Sequence, residues 1–246
     1  MVISSLDNKK VKFINSLKLT KKRKEYQMFV VEGMHLVYEA YKNGYLEEIY
    51  LLENENLEFS CDLEITYVTY EVMQKITSLN TPSIVIGICK MNNESKIQGN
   101  KILLLDNIQD PGNLGTIIRS SCAFSVDTIV LSKNCVDLYN EKVIRSTQGM
   151  IFKVNVVIDD LVDVINYLKN DNYMILGTDV KNGADVRTIK VIKYALIMGN
   201  EGNGVTEDIK KMCDKNLYIK MNSNCESLNV GVATSILLYE LGGNNE

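Results

Sequence analysis

The chain has 246 residues, of which 46% are hydrophobic and 24% charged, and its net charge is −4. This composition is typical of a globular protein long enough for two modest domains. It excludes a membrane-spanning protein, because no apolar run approaches the roughly 18 residues that a bilayer requires. The acidic total also excludes a chain that binds nucleic acid over its whole surface.

The first 24 residues form a strongly basic stretch in this acidic chain. Eight lysine and arginine side chains stand there against a single acid, Asp7. The pattern predicts a basic helix or helix pair over residues 5–24. Its charge fits either docking on phosphates or an ordinary solvated helix face, and charge alone leaves both interpretations open.

Short strands and helices are predicted between this stretch and residue 90. The strands are 28–33, "EEIYLL", "EITYVT" and "SIVIGIC", and the helices are 34–43 and 70–78. The polar run at 90–100 then predicts a linker. We therefore expect a smaller α/β domain at residues 1–95 and a second domain at residues 96–246.

A regular alternation of strands and helices begins after Lys101. Apolar strands are predicted at 102–105, 128–132, 154–158, 173–177, 194–198 and 217–220, with helices at 114–124, 140–148, 160–169, 206–213 and 228–241. Such alternation predicts an α/β fold with a mostly parallel sheet. Ligands of such sheets bind beyond the carboxyl ends of the strands, where three loops of this chain are chemically unusual.

The first unusual loop is "DNIQDPGNLGTIIRSS", residues 106–121. Pro111 and Gly112 predict a tight turn, and Asn113 is placed to cap the following helix. Arg119 lies off the apolar stripe of that helix, near its positive end, where a cation gains nothing from the helix dipole. Either Asn113 is only a cap and Arg119 a surface residue, or both face an anionic ligand such as a phosphate.

The second loop, "LIMGNEGNGVTED", holds three glycines, Gly199, Gly202 and Gly204. Their spacing matches neither the dinucleotide-binding pattern nor the P-loop. A plain joint between a strand and a helix needs one glycine, whereas three allow a ligand to approach the backbone closely.

The third loop opens "IKMNSNCESLNVGVATSILLYEL", residues 219–241. Ser227 or a neighbour is expected to cap the apolar helix that follows, with Leu228, Val232, Ile236 and Leu237 on one stripe. Asn229 lies in the first turn with no evident structural duty. We interpret the helix body as core or dimer contact, and only its first residues as candidates for a site.

Histidine and cysteine argue against a metal site. The single histidine, His35, is far in sequence from the three loops, and we expect it to be structural. The six cysteines show no C-x-x-C spacing, so we expect reduced, mostly buried thiols in the cytoplasm and no bound metal.

Taken in order, the three loops resemble the three motifs of the SpoU-type, TrmH-like ribose methyltransferases of the SPOUT class. The match is "DPGNLGTIIRSS", "MGNEGNGV" and "IKMNSNCESLNVGVATSILLYE", and the resemblance covers residues 102–246. Two further segments, "FVVEGMHLVYEA" and "TPSIVIGIC", are similar to the family's substrate-binding domain. The resemblance implies a trefoil-knotted C-terminal domain preceded by a smaller RNA-binding domain. It also implies a homodimer that transfers methyl from S-adenosylmethionine to a ribose 2′-hydroxyl in structured RNA.

The resemblance also assigns residues. Those that match the family's cofactor pocket are Thr178, Gly199, Asn200, Gly202, Ile219, Met221 and Leu228. Those that match its polar active-site set are Asn113, Arg119, Glu201, Ser227 and Asn229. Position 231 is glycine where many relatives carry serine. An arginine is not deprotonated in proteins, so we expect Arg119 to grip the target phosphate and stabilise the developing alkoxide, with Asn113 and Glu201 orienting it.

By analogy with relatives that carry such an N-terminal domain, ribosomal RNA is the favoured substrate. A transfer RNA ribose methyltransferase is the first alternative. A non-catalytic RNA-binding factor of ribosome assembly is the second, and the retained polar set argues against it. A nucleotide-dependent metabolic enzyme is the third, and the glycine spacing argues against it.

Overall fold

The computed structural model describes residues 2–92, 95–180 and 183–243, and the chain divides into two compact units. The first unit comprises Met1–Asn93 and Asp137–Lys153, and the second comprises Glu94–Val136 and Val154–Glu246. Residues 93–94 of the predicted linker lie outside the described residues. No helix within the described ranges combines the length and the apolar character needed to cross a membrane.

The first unit contains a mixed five-stranded sheet. Its strands are β1 (Val2–Ile3), β2 (Met28–Glu32), β3 (Leu46–Leu52), β4 (Ile65–Val68) and β5 (Val85–Lys90). Its helices are α1 (Lys9–Ser16), α2 (Thr20–Tyr26), α3 (Met34–Lys42), α4 (Tyr70–Ile76) and α6 (Glu141–Thr147), with one 3-10 turn at Met150–Phe152. The sheet order is β1-β4-β3-β5-β2, in which β5 is antiparallel to both of its neighbours and the other pairs are parallel.

The basic stretch folds as two helices, α1 and α2, so the helix pair is the predicted form that the structure shows. Asn8 caps α1 by accepting a hydrogen bond from the Lys10 backbone at 2.8 Å. Val11 and Ile14 of α1 are buried in the unit's core. Most lysines of the stretch are exposed, because the apolar residues take the inward face of α1.

The segment Asp137–Lys153 belongs to the first unit although it lies between two strands of the second. The Phe152 ring centroid is 6.3 Å from that of Phe29 and 5.1 Å from that of Tyr45. Asp137 forms an ion pair of 2.5 Å with the buried Arg23. The first unit is therefore discontinuous in sequence. The predicted division at 95/96 did not include this return of the chain, and it stays a prediction.

The second unit contains a seven-stranded, all-parallel sheet. Its strands are β6 (Lys101–Leu105), β7 (Thr128–Leu131), β8 (Asn155–Ile158), β9 (Met174–Thr178), β10 (Ala184–Asp185), β11 (Tyr194–Met198) and β12 (Lys215–Tyr218). Its helices are α5 (Pro111–Ala123), α7 (Leu161–Asn170), α8 (Glu207–Lys211) and α9 (Val230–Gly243), with a 3-10 turn at Val186–Thr188. The predicted parallel α/β fold is confirmed.

The strand order is β10-β12-β9-β11-β6-β7-β8. The late strand β11 lies between β6 and β9, which both precede it in the chain. All residues of β11 are buried, as expected where a parallel strand is covered on both faces. The order places the carboxyl ends of β12, β9, β11 and β6 side by side at one edge of the sheet.

The predicted buried stripe of α9 was wrong in part. Val232 is 46% exposed. The helix begins at Val230, and the face that it buries is the one that contains Val230. That buried face consists of Val230, Thr234, Leu237, Leu238 and Leu241.

The expectation of mostly buried cysteines was also wrong. All six are free thiols, but only Cys89 is fully buried, and Cys225 is exposed. Burial raises the pKa of the Cys89 thiol, which keeps it protonated and unreactive.

Candidate active site

The candidate site lies in the second unit, at the carboxyl ends of four neighbouring strands. The loop after β6 carries Asn113, the loop after β11 carries Glu201, and the loop after β12 leads to Asn229. Because these strands are parallel and adjacent, their loops leave the sheet on the same side.

The first loop forms a helix start that differs from the prediction. Asp110, not Asn113, caps α5: its Oδ1 accepts a hydrogen bond from the Asn113 backbone at 2.8 Å, and Pro111 occupies the first helical position. The prediction that Asn113 is the cap was therefore wrong. Its side chain is free for other contacts.

Asn113 is the middle member of a hydrogen-bonded chain that joins all three loops. Its Nδ2 donates to Glu201 Oε1 at 2.9 Å, and its Oδ1 accepts from Asn229 Nδ2 at 2.7 Å. These contacts span 88 and 116 residues of sequence. Three of the five predicted polar residues therefore meet in one cluster.

Asn229 has a structural duty that the sequence did not reveal. Its Oδ1 accepts hydrogen bonds from the backbones of Gly231 at 2.9 Å and Val232 at 3.3 Å, which caps α9. The expected cap was Ser227 or a neighbour, and the residue that caps α9 is Asn229. The same amide caps the helix with its oxygen and holds Asn113 with its nitrogen.

Glu201 is the charged end of the cluster. Its carboxylate also accepts weaker hydrogen bonds from the backbones of Asp110 at 3.3 Å and Gln109 at 3.4 Å. Partial burial raises the pKa of Glu201, but the hydrogen bonds from Asn113 and from these backbone groups outweigh it. The net pKa is below its ordinary value of 4.5, so the group is an anion at neutral pH.

The three glycines of the second loop have three different environments. A Cβ on Gly199 would lie 2.1 Å from the backbone of Gly204, which leaves no room for a side chain. Gly204 has a φ of +69°, the left-handed region that favours glycine. A Cβ on Gly202 would meet only Asn200 Oδ1, at 3.5 Å. The fold therefore requires glycine at Gly199 and favours it at Gly204, but does not require it at Gly202.

The predicted cofactor residues follow three of the adjacent strands. Thr178 ends β9 and donates to the backbone of Ile197 at 3.0 Å. Asn200 donates to the Asn107 backbone at 2.8 Å and closes the glycine loop by accepting from Gly202 at 2.9 Å. Met221 follows β12 and is half-buried.

The remaining cofactor candidates offer backbone groups to a ligand. The backbones of Gly199, Ile219 and Leu228 make no hydrogen bond with the described part of the chain. Such groups are usually paired when a site is complete. Donors and acceptors without a charged side chain suit the adenine, ribose and methionine groups of S-adenosylmethionine, and these residues fit that cofactor.

Two predicted residues stand outside the cluster. Arg119 and Ser227 are exposed, and neither side chain makes a hydrogen bond or ion pair with the residues that the structure describes. The six residues from Asn113 to Arg119 turn an α-helix through about 600°, so the two side chains project roughly 120° apart. The expectation that Asn113 and Glu201 orient Arg119 was therefore wrong for the single chain.

Sequence reasoning missed two residues that organise the site, Asp106 and Asn107. Asp106 is 2% exposed, and its carboxylate accepts from the Thr206 backbone at 2.8 Å. Asn107 has a φ of +59° and supplies the carbonyl that binds Asn200. The signal was an acid placed directly after an apolar strand, where burial demands a partner.

Comparison with known proteins shows that this fold and site are those of an RNA ribose 2′-O-methyltransferase that uses S-adenosylmethionine. Residues 100–239 match the SpoU rRNA Methylase family, and residues 8–87 match the MRM3-like substrate binding domain. The chain belongs to the SpoU rRNA methylase family. A trefoil knot in the second unit is implied by that membership.

Known relatives agree with this assignment. The chain is 38% identical to the 23S rRNA (guanosine(2553)-2′-O)-methyltransferase RlmP of Bacillus subtilis, over 98% of this chain and 99% of that protein. The AdoMet-bound rRNA methyltransferase of Sinorhizobium meliloti is 27% identical with a TM-score of 0.88, covering 100% of this chain and 98% of the other. The TrmH/SpoU tRNA modifying enzyme of A. aeolicus is 28% identical with a TM-score of 0.53, covering 61% and 77%.

Proposed function

We propose that this protein methylates the ribose of a guanosine in 23S ribosomal RNA, at the position equivalent to guanosine 2553 of its Bacillus subtilis relative. One structural observation carries the catalytic part of the proposal. The Asn113–Glu201–Asn229 chain gathers the loops after three parallel strands into one polar site. The full-length similarity supports ribosomal over transfer RNA, because the tRNA-modifying relative aligns with only 61% of this chain.

S-adenosylmethionine supplies the electrophilic methyl group, and the chain supplies placement and charge. The unpaired backbones of Gly199, Ile219 and Leu228 hold the cofactor. Asn113, fixed between Glu201 and Asn229, presents a rigid amide edge at the mouth of α5. Held by two partners, this amide orients the ribose without further loss of side-chain freedom.

Arg119 has a different task from the cluster. Its exposed guanidinium forms no ion pair within the described residues, so its hydrogen-bond donors are available to a phosphate. A guanidinium binds a phosphate in a bidentate manner and stays protonated, so it anchors the target nucleotide and is not the base. The proton of the ribose hydroxyl leaves through the phosphate or a water molecule. Ser227, exposed shortly before α9, contributes a hydroxyl at the rim.

The basic stretch of the first unit docks the RNA. Lys10, Lys12 and Lys22 form ion pairs with nearby acids. Lys21 and Lys24 are exposed and form no ion pair within the described residues. Uncompensated lysines are available to release counterions from a phosphate backbone.

Charge reversal tests the docking surface better than deletion, because removing residues 1–95 would strip the packing from Asp137–Lys153. We expect Lys21→Glu with Lys24→Glu to raise the RNA KM at least about tenfold and to leave cofactor affinity unchanged. The same reversals at Lys42 and Lys190, outside the stretch, serve as the control. Equal RNA affinity in both variants would refute docking by the basic stretch.

A homodimer and a cytoplasmic location are further parts of the proposal. Val232 and Tyr239 of α9 are 46% and 64% exposed in the single chain, which supports a partner copy packed on this helix. Light scattering of the purified protein, with Tyr239→Glu as the disrupting variant, tests the dimer. A monomeric wild-type protein would refute it.

The test of function is methyl transfer with mapping of the modified nucleotide. The purified protein, labelled S-adenosylmethionine and ribosomal RNA from cells that lack this protein should give label at one ribose of 23S RNA. Transfer RNA from the same cells is the parallel substrate. Label in transfer RNA alone, or RNA binding without any transfer, would replace this proposal with the tRNA enzyme or the assembly factor respectively.

A further inference from the structure

Asp106 is a buried acid that no part of the proposed mechanism uses. It follows β6 directly, and its side chain is almost fully removed from solvent, at 2% exposure. A buried carboxylate is costly unless hydrogen-bond donors surround it. The hydrogen-bond partners of Asp106 therefore indicate its role.

The contacts of Asp106 reach both ends of the glycine loop. Its backbone N–H donates to the carbonyl of Met198, the residue before the loop, at 2.9 Å. Its Oδ2 accepts from the backbone N–H of Thr206, the residue after the loop, at 2.8 Å. Its Oδ1 accepts from the side chain of its neighbour Asn107 at 2.8 Å.

A single residue thus ties down the start and the end of the segment that contains Gly199, Asn200, Glu201 and Gly202. The bond to Thr206 has a carboxylate oxygen as its acceptor and is partly buried, a setting in which such bonds are stronger than in water. The adjoining carbonyl of Asn107 binds Asn200 inside the same loop at 2.8 Å. Loss of the Asp106 carboxylate releases the far end of the loop and leaves the near end in place.

We infer that Asp106 is a positioning residue for the cofactor: it fixes the height of the glycine loop above the sheet and so shapes the pocket for S-adenosylmethionine. This inference rests on the proposed function, because it takes the loop to be the cofactor loop. With 2% of its surface exposed, Asp106 acts through the Thr206 N–H and not by direct contact with a ligand. It therefore governs cofactor affinity and not the chemical step.

The test compares Asp106→Asn with Thr206→Pro. The asparagine has nearly the same shape, but its amide oxygen is neutral and can face only one of the two donors, the Thr206 N–H and Asn107 Nδ2. Its own amide nitrogen, a donor, then faces the other. Proline removes the Thr206 N–H, and the φ of −62° at this residue already suits proline. Asp160→Asn, which removes a charge that caps α7 away from the site, is the matched control.

We expect both site variants to raise the Kd and the KM for S-adenosylmethionine about tenfold, a change equivalent to about 1.4 kcal/mol. The kcat at saturating cofactor and the KM for RNA should stay within about threefold of wild type, and the control should change neither. Because both variants act on the same bond, the double variant should bind cofactor no worse than the weaker-binding single variant.

Two results would overturn the inference. One is unchanged cofactor affinity in both site variants, and the other is a fall in kcat with the cofactor Kd unaltered. If Asp106→Asn does not fold, Thr206→Pro carries the test alone. Cofactor binding by the wild-type protein is measured first. A wild-type protein that binds no S-adenosylmethionine would count against the proposed function and not against the role of Asp106 alone.

Discussion

Gly202 offers the most direct test of where the cofactor lies. Alanine there would place its Cβ 3.5 Å from Asn200 Oδ1, an ordinary contact, and the backbone is not in the left-handed region. We therefore expect Gly202→Ala to change the free energy of unfolding by no more than about 0.5 kcal/mol. If the cofactor lies against this backbone, the added methyl group should raise its Kd at least about tenfold, equivalent to about 1.4 kcal/mol.

Gly199→Ala is the matched comparison in the same loop. Its Cβ would lie 2.1 Å from the Gly204 carbonyl carbon and 2.1 Å from the Val205 nitrogen, so backbone must move. Overpacking of this kind costs about 1–3 kcal/mol, and this variant should lose both stability and cofactor affinity.

The assays are denaturant unfolding without cofactor and titration calorimetry with S-adenosylmethionine. The decisive outcome is the difference between the two variants. A Gly202→Ala protein with wild-type stability and wild-type cofactor affinity would show that Gly202 does not face the ligand. A large loss of stability at Gly202 would show instead that the loop packs differently from the geometry described.

Three further predictions concern the polar residues. Asn229→Asp should keep the cap of α9 and near-normal stability but lose the donor to Asn113, so single-turnover methyl transfer should fall at least about tenfold. Asn229→Ala should also lose about 1 kcal/mol of unfolding free energy, as seen in denaturant titrations. Because the folded-state pKa of Glu201 lies below 4.5, the stability it contributes is present above that pH and is lost as pH falls through the folded value. The unfolding free energies of wild type and Glu201→Gln should therefore converge below pH 4.5, and a constant gap would contradict this. Arg119→Lys keeps the charge but loses the planar fork, so kcat should fall at least about tenfold with cofactor Kd unchanged. A near-normal rate would rule out bidentate positioning.

Most elements of the second unit were predictable because most of its strands are short apolar runs, whereas the two-residue strand β10 (Ala184–Asp185) was not predicted. The place of β11 between β6 and β9 was not, because periodicity reports burial and does not report which strands pair. The resemblance to a known family supplied the expectation of a threaded chain, which general rules of topology disfavour.

The candidate site was predictable in membership more than in arrangement. Asn113, Glu201 and Asn229 were named from motifs, but their contacts depend on side chains 88 to 116 residues apart. The cap of α5 was misplaced although a proline at the first helical position marks the residue before it, Asp110, as the cap. Arg119 was assigned to the polar set by the resemblance to the family, and the rotation of the helix separates its side chain from that of Asn113.

The return of Asp137–Lys153 to the first unit was not predicted, because an amphipathic helix does not specify which core it joins. Its buried residues Val143 and Ile144 suit either unit equally well by composition. Only packing contacts, such as Phe152 beside Phe29, place it.

This return of the chain has a consequence for biosynthesis. A chain made from its N-terminus has residues 1–93 outside the ribosome well before Asp137–Lys153 emerges. The surface of the early part that contacts Phe152 therefore stays exposed until Phe152 is synthesised. By that time β6 and β7 of the second unit have already been synthesised. The nascent first unit is expected to be completed only after translation has passed Lys153, so its maturation is timed by the synthesis of its neighbour.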